Sequence, residues 1–164
     1  MKKIQLINDD YIGRVNHIRH ACRGIVVKDD QVLLGYHTRD DIYIIPGGGV
    51  EGDELYRTCC ERELLEETGL IVEATDCYLE TEELYEDWRH INHYFVCHFI
   101  EDTGRQKLTE GEKKAGCTCV WMPVEEALSK FGEYEKYRKD NLPVYGLYRR
   151  EYNALAEYMK LQNN

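Results

Sequence analysis

The sequence predicts an α/β fold in which a mixed sheet is flanked by a small number of helices. Short apolar segments bounded by Gly, Pro and Asp turn signals dominate the first two thirds of the chain. Two stretches switch to helical spacing, one in the middle of the chain and one at its C-terminus. At 164 residues the chain suits one domain with a sizeable core, so residues 1–164 are read as a single unit.

The elements follow in order. "ACRGIVVKDDQVLLGYH" reads as two strands turning at Asp29-Asp30, and "DIYIIP" as a short strand ended by Pro46. "PGGGVEGDE" is a loop with four glycines between Gly47 and Asp53. A helix is expected from about Glu54 to Thr68, with Asp53 as its N-cap and Gly69 as its stop. "VEATDCYLETEEL" and "INHYFVCHFI" are strands, the second apolar on both faces as a central strand would be. "GCTCVWMP" is a strand, "VEEALSKF" a short helix, and "GEYEKYRKDNLPVYG" a polar loop. Tyr148, Tyr152, Leu155 and Met159 recur at helical spacing, which predicts a closing amphipathic helix at about 146–161.

Charge narrows the function. With 21 basic and 31 acidic residues the net charge is −10, which argues against general affinity for nucleic acid or anionic membranes. A small phosphorylated substrate remains compatible, because a bound divalent metal inverts the local field. No stretch of apolar residues reaches membrane-spanning length, and "MKKIQLINDD" has no apolar run behind its lysines, so neither a span nor a signal peptide is expected. Seven cysteines without a CxxC pair read as reduced thiols in a cytoplasm.

The chemistry gathers in "RELLEETG", Arg62 to Gly69. On a helix, Glu66 and Glu67 fall at about −60° and +40° from Glu63. Leu55, Tyr56, Cys59, Cys60 and Leu64 share that arc, whereas Glu54, Glu61, Leu65 and Thr68 lie opposite. Three carboxylates therefore share the side facing the protein body, near the negative end of the helix dipole. One arginine, Arg62, does not balance them. A hard divalent cation such as Mg²⁺ or Mn²⁺ does, and it bridges to substrate phosphates. Gly47, Gly48 and Gly49 let backbone approach a ligand, offering carbonyls to a metal and N–H groups to phosphate. Cys59 and Cys60 are read as helix packing, and Cys117 and Cys119 as sheet- or core-facing.

Gly48, five residues, Glu54, seven residues, Arg62-Glu63-Leu64, one residue, Glu66-Glu67, one residue, Gly69-Leu70: this order resembles the complete Nudix box, without departures. The resemblance extends from about Arg19 to Trp121. It implies an α/β/α sandwich and a metal-dependent hydrolase of a nucleoside diphosphate linked to another moiety. By position it makes Glu63 and Glu67 direct metal ligands, Glu66 a ligand or the base for the attacking water, Arg62 the residue that orients the glutamates, and Glu54 the brace of the loop. The carbonyl of Gly47 or Gly48 would complete the metal site. Members often recruit one more acid from a downstream loop, and Glu110 or Glu112 in "LTEGEKK" is the candidate, with Glu112 chosen. Gly48, Gly49, Arg23 and Arg39 are assigned to the substrate; Arg19 and Arg89 are further basic candidates. Tyr85, Trp88, Tyr94, Tyr134 and Tyr137 are available to stack on a base. The expected partner is a small-molecule nucleotide, with no membrane or nucleic acid, acting on a monomer or homodimer. Nucleoside triphosphates, oxidised nucleotides, ADP-ribose and nucleotide sugars stay open as substrates. The alternative is a non-catalytic nucleotide-sensing or partner-binding module on the same fold, in which box glutamates would have been lost.

Overall fold

The structure is a computed structural model describing residues 1–163. Nine strands and four helices follow in the order β1 (Lys2–Ile7), β2 (His17–Ile25), β3 (Val27–Lys28), β4 (Gln31–His37), β5 (Ile42–Ile44), β6 (Gly47–Gly49), α1 (Tyr56–Thr68), β7 (Leu70–Tyr85), β8 (Trp88–Asp102), α2 (Glu110–Ala115), β9 (Cys117–Pro123), α3 (Val124–Gly132) and α4 (Leu142–Gln162). One sheet has the order β1-β7-β8-β2-β6, and β3, β4, β5 and β9 form the other around β4. The first sheet is mixed: β1 runs parallel to β7 and β2 parallel to β8, while β7/β8 and β2/β6 are antiparallel.

Strand alternation sends successive side chains to opposite faces, and this makes two cores. Cys22, Phe95 and Cys97 pack with Cys59, Cys60 and Leu64 of α1. Ile25, Leu79 and Tyr94 pack with Phe131, Val144, Tyr148 and Leu155 of α3 and α4. The sheets are thus the middle layer of an α/β/α arrangement, with α1 packed on one face and α3 and α4 on the other. Among the described residues, no helix is long and apolar enough to cross a membrane.

Several boundaries differ from expectation. Lys2–Ile7, read from sequence as no element, is an edge strand whose Leu6 is buried while its lysines stay in solvent. Edge strands tolerate such charge, so their apolar pattern is weak. Helix α1 starts at Tyr56 and is capped by Leu55, without a side-chain cap, rather than by Asp53. Gly47–Gly49 pairs with β2 as a short strand inside the expected loop. Within the downstream "loop", Glu110–Ala115 is a helical turn closed by a Thr109/Glu112 capping box. The expected polar loop before α4 contains a 3-10 turn at Tyr134–Tyr137, and α4 begins at Leu142, about a turn before 146, with the Asn141 side chain accepting from the Val144 N–H and Pro143 in its first turn.

Candidate active site

Helix α1 delivers its carboxylates to the junction with β6. Its buried residues are Cys59, Cys60, Leu64 and Thr68, whereas Leu65 is exposed. Thr68 therefore turns inward rather than outward as the angles predicted, and its hydroxyl donates to the Leu64 carbonyl. Gly69 ends the helix in the left-handed conformation (φ 76°), its N–H donating to the Leu65 carbonyl.

A 370 Å³ cavity joins Gly47, Gly48 and Gly49 to Glu63, Glu66 and Glu67. Glu112, Thr109 and Arg19 also line it. Four glutamates from two helices and the glycine strand, far apart in sequence, therefore share one space. Glu63 lies against Gly48: a Cβ on Gly48 would fall on the Glu63 carboxylate. Gly47 lies at φ +151°, and a Cβ there would run into the Cys22 carbonyl of β2. Its N–H donates to Glu67 Oε2 at 3.0 Å.

Arg62 ties the cluster together. Its guanidinium donates to both Glu54 oxygens (3.1 and 2.7 Å), to Glu63 Oε1 (2.8 Å), to Glu66 Oε2 (3.3 Å) and to the Gly49 carbonyl (3.1 Å). Glu54 in turn accepts from the Glu51 N–H at 2.9 Å, which pins the loop to the helix. The Arg62 bond holds the Glu54 carboxyl down at about 2. Burial acts oppositely on the other acids. It raises Glu63 despite the Arg62 contact. It lifts Glu67 to about 7, with the Gly47 N–H and the Arg23 charge offsetting only part.

Two of the expected substrate contacts are elsewhere. Arg23 is buried beneath the loop, with Nε on Asn92 Oδ1 (2.9 Å) and Nη1 on the Ile45 carbonyl (3.0 Å). It supports the glycine strand and acts on Glu67 only through its charge. Arg39 is exposed and pairs with its neighbour Asp40 at 2.9 Å, outside the cavity. The arginine at the cavity is Arg19, whose guanidinium lies 3.6–3.7 Å from where a Cβ on Gly49 would stand. No local signal separates Arg19 from Arg23, since both lie on the same face of β2. Only the pairing of Ala21 and Arg23 with Gly49 and Gly47 places the first in the open and the second underneath. Glu112 lines the cavity although its carboxylate also accepts from the Thr109 N–H at 2.7 Å. Tyr94 is fully buried and donates to Glu151 Oε1 at 2.8 Å, so it is not available to a base.

The family description "NUDIX domain" matches residues 18–145. The chain belongs to the Nudix family. Solved structures of similar fold include the MutT protein from Methanosarcina mazei Go1, at 16% identity and TM-score 0.62 over 93% of this chain and 99% of that one. The E. coli ORF135 protein matches at 21% and 0.56 over 89% and 91%. An ADP-ribose pyrophosphatase from Streptococcus suis 89-1591 matches at 15% and 0.54 over 89% and 92%. At these identities the likeness concerns the fold. No curated protein matches the chain in sequence.

The Nudix residues suit a hard divalent cation by their donor chemistry. Glu63, Glu66 and Glu67 are oxygen donors beside backbone carbonyls, and the burial that raises Glu63 and Glu67 is the penalty a cation would offset. Among the described residues, no three acidic, His or Cys side chains are drawn together in metal-holding geometry. Instead the Arg62 guanidinium and the Gly47 N–H hold the carboxylate oxygens.

Proposed function

We propose that this Nudix hydrolase splits a pyrophosphate bond in a nucleoside diphosphate linked to another moiety, with Mg²⁺ or Mn²⁺ as cofactor. The observation that carries the reading is the single cavity in which the Gly47–Gly49 backbone meets Glu63, Glu66, Glu67 and Glu112. Glu63 and Glu67, with the Gly47 or Gly48 carbonyl, would hold the ion. The bound metal neutralises phosphate charge and acidifies the attacking water. Of the two α1 carboxylates that Arg62 contacts, Glu66 is the more solvent-open, with its side chain 34% exposed against 12% for Glu63. It is therefore the group to take the proton as water adds to one phosphorus and the bridging oxygen leaves with the other. Arg62 keeps the three acids in register, Glu54 holds the loop onto the helix, and Arg19 meets a phosphate oxygen over Gly49. The whole chain, 1–164, works as one unit in this reading, as a monomer or homodimer. The seven unpaired thiols support a reducing, cytoplasmic location.

A panel of nucleoside triphosphates, oxidised nucleotides, ADP-ribose and nucleotide sugars, each with Mg²⁺ or Mn²⁺ and scored for phosphate release and product identity, tests the reading. Metal-dependent cleavage of at least one P–O–P bond is expected. Cleavage that persists in excess EDTA, or no cleavage of any member, overturns it.

A further inference from the structure

The chain changes sheets between β5 and β6. Pairing of β5 with β4 ends at Ile44, and pairing of β6 with β2 begins at Gly47. Ile45 and Pro46 lie between the two ladders, so their backbone polar groups need other partners. Pro46 has no N–H to satisfy, and its carbonyl accepts from the Gly24 N–H at 3.0 Å. Ile45 is met on both sides by ionic side chains. Its N–H donates to Glu151 Oε2 at 2.6 Å, and its carbonyl accepts from Arg23 Nη1 at 3.0 Å.

These two ions close a ring. Arg23 Nε donates to Asn92 Oδ1 (2.9 Å), and Asn92 Nδ2 donates to Glu83 Oε2 (3.2 Å). Arg150 Nη1 donates to the same Glu83 oxygen (3.0 Å), and Arg150 Nε to Glu151 Oε1 (2.7 Å), which leads back to Ile45. No member of the ring is more than 5% exposed. Two cations and two anions in a core are a poor source of stability, because well-packed apolar residues of similar volume often do as well or better. What the ring fixes is geometry. The next N–H after Ile45 is that of Gly47, which donates to Glu67 Oε2 at 3.0 Å.

We propose that Glu151 is a positioning residue for the metal site. From α4, outside both the glycine segment and α1, it holds the Ile45–Pro46 crossing so that the Gly47 backbone stands where Glu67 and the cation need it. The inference rests on the metal-dependent hydrolase reading. Glu151 reaches the Ile45 N–H across 106 residues of chain. Tyr94 is the internal control: it is equally buried, but its hydroxyl donates to the other carboxylate oxygen, Oε1, at 2.8 Å.

The test compares Glu151→Gln with Tyr94→Phe in the intact chain. Glutamine keeps the shape, but its one carbonyl oxygen cannot serve both the Ile45 N–H and Arg150 Nε. Mn²⁺ affinity is measured by electron paramagnetic resonance. The shift and hydrogen exchange of the Gly47 amide are followed by NMR without metal. Steady-state kinetics with Mg²⁺ use the fastest-cleaved member of the nucleotide panel. Glu151→Gln is expected to move the Gly47 resonance, speed its exchange, weaken Mn²⁺ about tenfold or more, and lower kcat while KM stays near that of the parent. Tyr94→Phe is expected to lower Tm yet keep the parent's Gly47 amide and Mn²⁺ affinity. A parent-like Gly47 amide and Mn²⁺ affinity in Glu151→Gln, or equal changes in both variants, overturns the proposal. If Glu151→Gln does not fold, Glu151→Asp carries the same comparison, since it keeps the charge beside Arg150 but falls one methylene short of Ile45. If the parent neither binds Mn²⁺ nor cleaves any nucleotide, the hydrolase reading falls, and the Gly47 amide decides the rest: a change confined to the Glu151 variant upholds the clamp, and no change overturns it.

Discussion

At the scale of single residues, charge and backbone clearance do different work. Glu67 is partly buried, accepts from the Gly47 N–H and lines the cavity. Glu67→Gln keeps the shape and removes the charge a cation needs. Substituting a group that merely orients a metal ligand costs 10–100-fold, so loss of a ligand should lower turnover by more than about 100-fold. Steady-state kinetics with unchanged far-UV circular dichroism would check this; near-normal turnover would remove Glu67 from the metal site. Gly48→Ala acts through space. The added methyl would land on the Glu63 carboxylate, so either the acid or the strand must move. Turnover should fall about tenfold or more, while Tm shifts little because the change sits on the rim. A variant of full activity would show that Glu63 is free to swing.

At the scale of elements, helix α1 separates packing from chemistry. Leu64 is fully buried in the cluster with Cys22, Phe95 and Cys97, while Leu65 is 40% exposed. Leu64→Ala should cost about 2–5 kcal/mol and Leu65→Ala less than about 1 kcal/mol. Urea unfolding measures both, and equal losses would mean that α1 is buried on both sides. The angular placement of this helix was legible because Leu64 and the glutamates repeat at helical spacing. Its start was not: Asp53 is the better cap by propensity, but Leu55 takes the position in the folded chain. The tertiary reason is the turn at Glu51–Glu54, where the Glu54 N–H donates to the Glu51 carbonyl and Arg62 holds the Glu54 carboxylate, so the chain enters the helix only after Leu55. Helix α2 was missed for a related reason. Six residues with no buried side chain carry no hydrophobic period, and only the Thr109/Glu112 pair, a capping box, marked it in advance.

At the scale of the whole molecule, stability should depend on metal and on pH. Glu63 and Glu67 both carry raised pKa values from burial, so their ionisation opposes folding. A cation that binds only the folded state stabilises it by about 2.7 kcal/mol at 100-fold its Kd. Saturating Mg²⁺ or Mn²⁺ should therefore raise Tm by several degrees, as differential scanning calorimetry can show; no shift would leave the glutamates without a metal to answer to. His90 and His93 of β8 set the acid limb. Burial lowers His90 to about 2 and His93 to about 4, against 6.5 for a free imidazole. Between pH 6.5 and 4 these two side chains bind more protons in the unfolded chain than in the folded one. Each histidine then contributes stability that is present above pH 6.5 and is lost as pH falls, at a slope approaching about 1.4 kcal/mol per pH unit. Glu67 works in the opposite sense between about 4.5 and 7, where its raised pKa makes stability decline as pH rises. Unfolding free energies at pH 7, 6 and 5 in EDTA should show a smaller acid loss for His93→Gln than for the parent, and a larger one for Glu67→Gln. Identical pH profiles would place the proton uptake on other groups.

The sequence by itself determined which chemistry is available. The spacing from Gly48 to Leu70 requires a helix with Glu63, Glu66 and Glu67 on one side and a glycine loop ahead of it, because helical geometry turns intervals of three and four into neighbours. Tertiary structure decided what lies around that motif. Arg19, Arg23 and Arg39 are chemically alike and close in sequence. Yet one lines the cavity, one is buried against Asn92 and the Ile45 carbonyl, and one pairs with Asp40 in solvent. The difference comes from strand pairing and from the return of Glu112 to the cavity some forty residues after α1. Those contacts join segments whose separation along the chain carries no periodic signal. They are set by which faces the two sheets and four helices bury, a property of the assembled core rather than of any local stretch.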